Sequence, residues 1–218
     1  MNINWIKREN SRQLIIFFNG WGMDSSAIEH LKAENYDLVE VNDYSILDFN
    51  ENDYKSYSEI YAIAWSLGVC VASVILSDTS LPIKRAVAIN GTLNPVDSNE
   101  GIPPDIFKGT ISGWNKKNRG RFQMRIIGGR NEYEVNCLKF GSRTIQNQKL
   151  ELMSLYDRFQ NKTERIFSFD TAIIGKRDAI FSMENQLNCW QSTTKYEIID
   201  IPHYPFLHFK FWDEIIKK

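Results

Sequence analysis

Long apolar runs are missing from this chain. Its 218 residues contain no stretch approaching ~18 consecutive apolar residues, so no membrane-spanning helix is expected. A dominant charge is missing too: 26 Lys and Arg stand against 27 Asp and Glu, a net charge of -1. Any charge-led partner must therefore be met by a local patch. Cysteine is scarce, with Cys70, Cys137 and Cys189 odd in number, far apart and without a Cys-x-x-Cys pair. That excludes the usual zinc and thiol-redox motifs and suits a reducing compartment. The start, Met1-Asn-Ile-Asn-Trp-Ile-Lys-Arg-Glu9, lacks the apolar run and small-residue cleavage site of a secretory signal. A cytoplasmic protein is expected.

What remains is the balance of a globular protein, 43% hydrophobic and 24% charged. With no repeat, low-complexity segment or clear linker, residues 1–218 are read as one domain. Leu14 to Phe18 is a continuous apolar run, the pattern of a strand buried on both faces. Further strands are predicted over Tyr36 to Val41, Glu59 to Trp65, Arg85 to Ile89, Thr171 to Ile174 and Lys195 to Ile201. Helices are predicted over Ser25 to Ala33, Leu67 to Ser77, Ser182 to Gln191 and Pro205 to Lys217. This alternation predicts an α/β fold with a mostly parallel central sheet flanked by helices. From about Pro103 to Gln160 no strand is expected, and Ile145 to Phe159 reads as one of several helices there. A helical lid inserted between sheet strands, about 101–165, is the reading.

After the predicted strand Glu59 to Trp65 comes Ala64-Trp-Ser66-Leu-Gly68. A strand that runs through a serine directly into a helix is the context of a nucleophile elbow. The turn is strained, and the residues two before and two after must be small; Gly68 satisfies this, and Ala64 stands where glycine is usual. Ser66 could instead merely cap the helix from Leu67. An esterase also needs two N–H donors for the negative oxygen of its tetrahedral intermediate. Leu67 N–H is one candidate and Trp21 N–H the other, in the loop Asn19-Gly-Trp-Gly-Met-Asp24. An ordinary glycine turn is the alternative there.

In elbow enzymes the triad runs serine, acid, histidine. Of His30, His203 and His208, the order excludes His30. His203 follows a predicted strand at its C-terminal end, where catalytic residues emerge, and is preferred to His208. Asp178 follows the strand Thr171 to Ile174 and precedes His203 by 25 residues, room for one helix and one strand. Asp170 lies at the wrong end of that strand and Asp200 within another. A helix cap or surface loop is the alternative for Asp178.

With these residues in place the chain resembles a known family. Phe18-Asn-Gly-Trp-Gly-Met23, Ala64-Trp-Ser-Leu-Gly-Val69 and Pro202-His-Tyr-Pro-Phe206 look like the pimeloyl-acyl-carrier-protein methyl ester esterases of biotin synthesis. The short chain and the Ala-Trp-Ser elbow are nearest the compact BioG type. Ala88-Ile-Asn-Gly-Thr92 and Arg121-Phe-Gln-Met-Arg125 extend the likeness over essentially the whole chain. The resemblance implies an α/β-hydrolase fold and removal of the methyl group from the ω-carboxylate of pimeloyl-acyl carrier protein. It implies a triad of Ser66, Asp178 and His203 with oxyanion donors at Trp21 and Leu67. No cofactor or metal is needed for that chemistry.

Lys108, Lys116, Lys117, Arg119, Arg121, Arg125 and Arg130 fall between Ile106 and Asn131, with no acidic residue among them. A positive lid would attract an acidic acyl carrier protein and grip its phosphate. Arg119, Arg121, Arg125 and Arg130 are the expected docking residues; a merely solvated helix face is the bland alternative. Nucleic acid is not expected, since no recognition motif accompanies the patch. A monomer is expected. Two other functions stay open at this point, a general short-acyl carboxylesterase or thioesterase and a non-catalytic carrier-binding module.

Overall fold

The apolar run that opens the pattern lies at the centre of the molecule. In a computed structural model describing residues 1–161 and 167–218, Leu14 to Phe18 are fully buried. Alternate residues serve two cores: Leu14, Ile16 and Phe18 face one, Ile15 and Phe17 the other. That is why the run is continuous rather than alternating. The strands are β1 (Asn2–Lys7), β2 (Gln13–Phe18), β3 (Asp37–Asn42), β4 (Glu59–Trp65), β5 (Ile83–Ile89), β6 (Thr171–Arg177) and β7 (Lys195–Pro202). They form one sheet in the order β1-β3-β2-β4-β5-β6-β7. Every pairing is parallel except β1 with β3. The order reverses between β2 and β4, and such a switch point opens a crevice at the carboxyl ends of the strands.

The helices are α1 (Leu67–Ile75), α2 (Pro104–Gly113), α3 (Lys116–Ile127), α4 (Arg130–Asn136), α5 (Ile145–Phe159), α6 (Met183–Trp190) and α7 (Trp212–Ile216). Helices α2 to α5 lie between β5 and β6, the expected helical insertion. Its last four expected residues, 162–165, lie outside the described residues. Among the described residues no helix is long and apolar enough to cross a membrane.

Two expectations are corrected, and one strand is added. Strand β1 was not predicted, because its alternating polar residues give it only a half-buried face. The stretch Ser25 to Ala33 is not a helix; only a 3-10 turn forms over Ser25–Ala27, with Asp24 as its cap. The predicted helix Pro205 to Lys217 is broken in two, a 3-10 turn over Phe206–His208 and then α7. One contact accounts for both. Lys32 N–H donates to the Lys210 carbonyl (3.0 Å), and Trp212 N–H donates to the Lys32 carbonyl (3.1 Å). This bridge requires extended backbone in both segments, and tertiary pairing outweighs local helix propensity.

Candidate active site

Ser66 sits where β4 turns into α1, with φ 58° and ψ -129°. A non-glycine residue in this region is strained, by roughly 1–3 kcal/mol. Its hydroxyl makes no capping bond to α1, which removes the capping alternative. A side chain at position 68 would run into the Phe18 carbonyl, so the elbow needs Gly68. The backbone turn is therefore bought at a cost and aims the hydroxyl away from its own helix.

That hydroxyl meets an imidazole from the far end of the chain. His203, at the carboxyl end of β7, places Nε2 2.9 Å from Ser66 Oγ. Its Nδ1 is 2.8 Å from Asp178 Oδ2. Asp178 directly follows β6, and its other oxygen accepts the N–H groups of Ile180 (2.7 Å) and Phe181 (3.0 Å). A carboxylate so placed accepts, so Nδ1–H of His203 donates to it and Nε2 is left to accept from serine. The imidazole is buried, stacked on Phe181 at an interplanar angle of 15°. His30 instead bonds the Phe206 carbonyl, Asp170 accepts from Ala86 N–H, and Asp200 pairs with Arg177 at the surface.

The Asn19–Asp24 loop is more than a glycine turn. Its N–H groups can be followed one by one. Asn19 N–H donates to Val41 O, Gly20 N–H to Asn19 Oδ1, Gly22 N–H to Glu151 Oε2 and Met23 N–H to Gly20 O. From Asn19 to Met23, among the described residues, only Trp21 N–H is left without an acceptor. Gly22 has φ +73°, and an added Cβ would press on the Gln148 side chain at 3.2 Å. Leu67 N–H opens α1, where helical donors have no partner of their own. Trp21, Leu67, Ser66 and His203 line one cavity, closed on its other sides by apolar side chains such as Phe107, Leu152 and Ile180.

The four expected docking arginines divide. Arg125 lines that cavity and donates to the Ala179 carbonyl (3.0 Å). Arg121 and Arg125, exposed one turn apart on α3, line an adjoining groove against α2. Arg119 turns inward to the Arg143 carbonyl (3.0 Å), and Arg130 is exposed at the start of α4, outside the lining of both.

Other residues of the site have no role that the sequence announces, although Asn90 and Trp65 lie in the family-like segments. Asn90, with φ 47°, donates to the carbonyls of Pro202 and His203 (2.9 Å each) and accepts from Gly175 N–H (2.6 Å). It ties the ends of β5, β6 and β7 together beneath the imidazole. Trp65 Nε1 donates to the same His203 carbonyl (2.8 Å). Gln186 on α6 donates to Asp178 Oδ2 (3.2 Å). Arg177, outside the basic window, shares a surface groove with Arg121 and Arg125.

A mostly parallel sheet with a serine at a strand-to-helix elbow, and an aspartate and a histidine following its last two strands, is the architecture of an α/β-hydrolase. Comparison with known proteins agrees. A lipase-esterase related protein from Clostridium acetobutylicum shares the fold at TM-score 0.64 and 14% identity, over 93% of this chain and 92% of its own. The family model described as pimeloyl-ACP methyl esterase BioG matches residues 1–215, and the chain belongs to that family. The crystal structure of BioG from Haemophilus influenzae superposes at TM-score 0.91, with 34% identity over 99% of this chain and 100% of that one. A malonyl-[acyl-carrier protein] O-methyltransferase from Bacteroides fragilis is 37% identical over 180 residues, 83% of this chain. The match spans only 37% of that longer protein.

Proposed function

We propose that this protein is a serine carboxylesterase that hydrolyses the methyl ester of pimeloyl-[acyl-carrier protein], giving the free carboxylate and methanol for biotin synthesis. The observation that carries the reading is the 2.9 Å contact between Ser66 Oγ and His203 Nε2, with Asp178 on the opposite ring nitrogen. His203 takes the serine proton as Oγ attacks the ester carbonyl. Asp178 holds the tautomer and stabilises the imidazolium. Trp21 and Leu67 N–H groups receive the oxyanion. Methanol leaves with the proton from His203, and the acyl-enzyme forms. Water then attacks, giving its proton to His203, and the acid is released as the proton returns to Ser66.

Helices α2 to α5 act as the lid, and the carrier protein docks on the side of Arg121 and Arg125. Its acidic surface and phosphate complement that rim. The Bacteroides fragilis relative is named for action on an acyl-carrier protein, which supports a carrier-bound substrate. The reaction is placed in the cytoplasm, with the enzyme a monomer. The largely apolar cavity also favours a broader reading, a general short-acyl esterase or thioesterase. Initial rates on the methyl ester of pimeloyl-carrier, on carriers with shorter and longer acyl chains, and on the corresponding thioesters separate the two. A preference of about tenfold or more for the pimeloyl methyl ester is expected; equal rates leave only the broader reading.

A further inference from the structure

The oxyanion loop is held from above by the inserted helix α5. Glu151 is fully buried there. Its Oε2 accepts Gly22 N–H (3.0 Å) and Arg143 Nη1–H (2.9 Å), and its Oε1 accepts Tyr44 N–H (3.0 Å). Gln148, one turn earlier on α5, donates from Nε2 to the Gly22 carbonyl (2.9 Å). The Gln148 backbone carbonyl accepts the Trp21 indole N–H (2.7 Å). Arg143 also reaches the Met23 carbonyl (3.3 Å) and pairs with Asp43 (3.3 Å). Thus Gly22, the residue after Trp21, is gripped at both its N–H and its C=O, and the Trp21 side chain is gripped as well. Trp21 N–H shares its peptide with the Gly20 carbonyl, which accepts Met23 N–H (3.3 Å), and α5 holds that turn through Trp21 and Gly22.

A carboxylate with three donors in a fully buried site is an expensive way to pin a loop. Nothing in the hydrolytic steps uses it. We propose that Glu151, assisted by Gln148, is a positioning residue that aims Trp21 N–H at the developing oxyanion, so that the lid helix and the oxyanion hole form one mechanical unit. This rests on the esterase reading above and deepens it. Leu152, the next residue on α5, lines the substrate cavity, so the helix that touches the acyl group also holds the donor.

The account predicts a specific split. In Glu151→Gln the amide offers one acceptor oxygen where the carboxylate serves the Gly22 and Tyr44 N–H groups with two. The loop then loses one anchor and Trp21 N–H loses its aim. Rates on p-nitrophenyl butyrate, normalised to sites titrated by a fluorophosphonate, should show kcat down about tenfold or more with KM within about threefold. Affinity for an aliphatic trifluoromethyl ketone, whose serine adduct carries the oxyanion, should fall by the same factor as kcat. A purely structural role would lower the titratable fraction and leave both ratios unchanged. Gln148→Leu removes the grip on the Gly22 carbonyl, together with the acceptor of the Trp114 indole N–H (3.3 Å), and should give the same signature at about threefold or more; it decides the matter if Glu151→Gln does not fold. Unchanged kcat and ketone affinity in the folded variants would overturn the proposal. Ser66→Ala serves as the control: if it still turns over the ester, the esterase reading fails first, and the two failures are told apart.

Discussion

The Asn90 side chain donates to the backbone carbonyl of His203 across a separation of 113 residues, at 2.9 Å. The histidine is thus located by its own backbone as well as by its ring. Asn90→Ala would leave buried acceptors at Pro202 and His203 and a buried donor at Gly175 N–H. A loss of about 2–3 kcal/mol in unfolding free energy is expected, with kcat down about tenfold as the imidazole drifts from Ser66. Urea denaturation and steady-state kinetics on the same preparation check both.

Ser66 holds a conformation that glycine adopts without penalty. Ser66→Gly should therefore abolish hydrolysis yet raise stability by about 1 kcal/mol. A thermal or urea midpoint below that of the native protein would contradict the strain at the elbow.

Burial pushes the Glu151 carboxyl up to about 7, against the pull of Arg143 and of the Tyr44 and Gly22 N–H groups, with Asp43 adding to the rise. A carboxyl raised on folding binds its proton more tightly in the native state than in the unfolded chain. Stability from this site is therefore fully present below the unfolded value of 4.5 and is lost as pH rises through about 7. Buried Glu40, also raised by desolvation, slopes the same way and is common to both proteins compared. Urea midpoints of native protein and Glu151→Gln, measured from about pH 5 to about pH 8, should diverge, with only the native protein carrying this decline. Parallel profiles would contradict it.

Arg121 lines the rim groove and, among the described residues, makes only a long bond to Asn118, 3.4 Å, on its own helix. Arg121→Glu should raise KM for the carrier-bound ester about tenfold while leaving a p-nitrophenyl ester unaffected. The difference should shrink at about 0.5 M salt, where the screening length falls to a few ångströms. Arg125→Glu should impair both substrates, since that guanidinium also lines the cavity and bonds the Ala179 carbonyl beside Asp178.

The meeting of Ser66, Asp178 and His203 was legible because each is announced locally, by a strand that ends and a loop or helix that begins. The order serine, acid, histidine then chose among few candidates. The helical insertion was legible from the missing strand pattern, and α5 matches its expected span, Ile145–Phe159. The supporting residues were hidden because their partners are remote. Glu151 lies 129 residues from Gly22 and reads, on an amphipathic helix, like any solvated acid. Asn90 and Gln186 are polar residues whose role exists only once three strand ends meet. The two failed helix predictions share one cause, the Lys32–Phe211 bridge, which no local pattern encodes.

The central claim is that Ser66 is the nucleophile. Intact-mass spectrometry of native protein treated with a fluorophosphonate, followed by peptide mapping and an assay on the methyl ester of pimeloyl-carrier, tests it directly. One adduct on Ser66, with hydrolysis lost in proportion, is the predicted result, and Ser66→Ala should lose at least about 10³-fold in kcat. A folded Ser66→Ala protein that still hydrolyses the ester near the native rate would contradict the account.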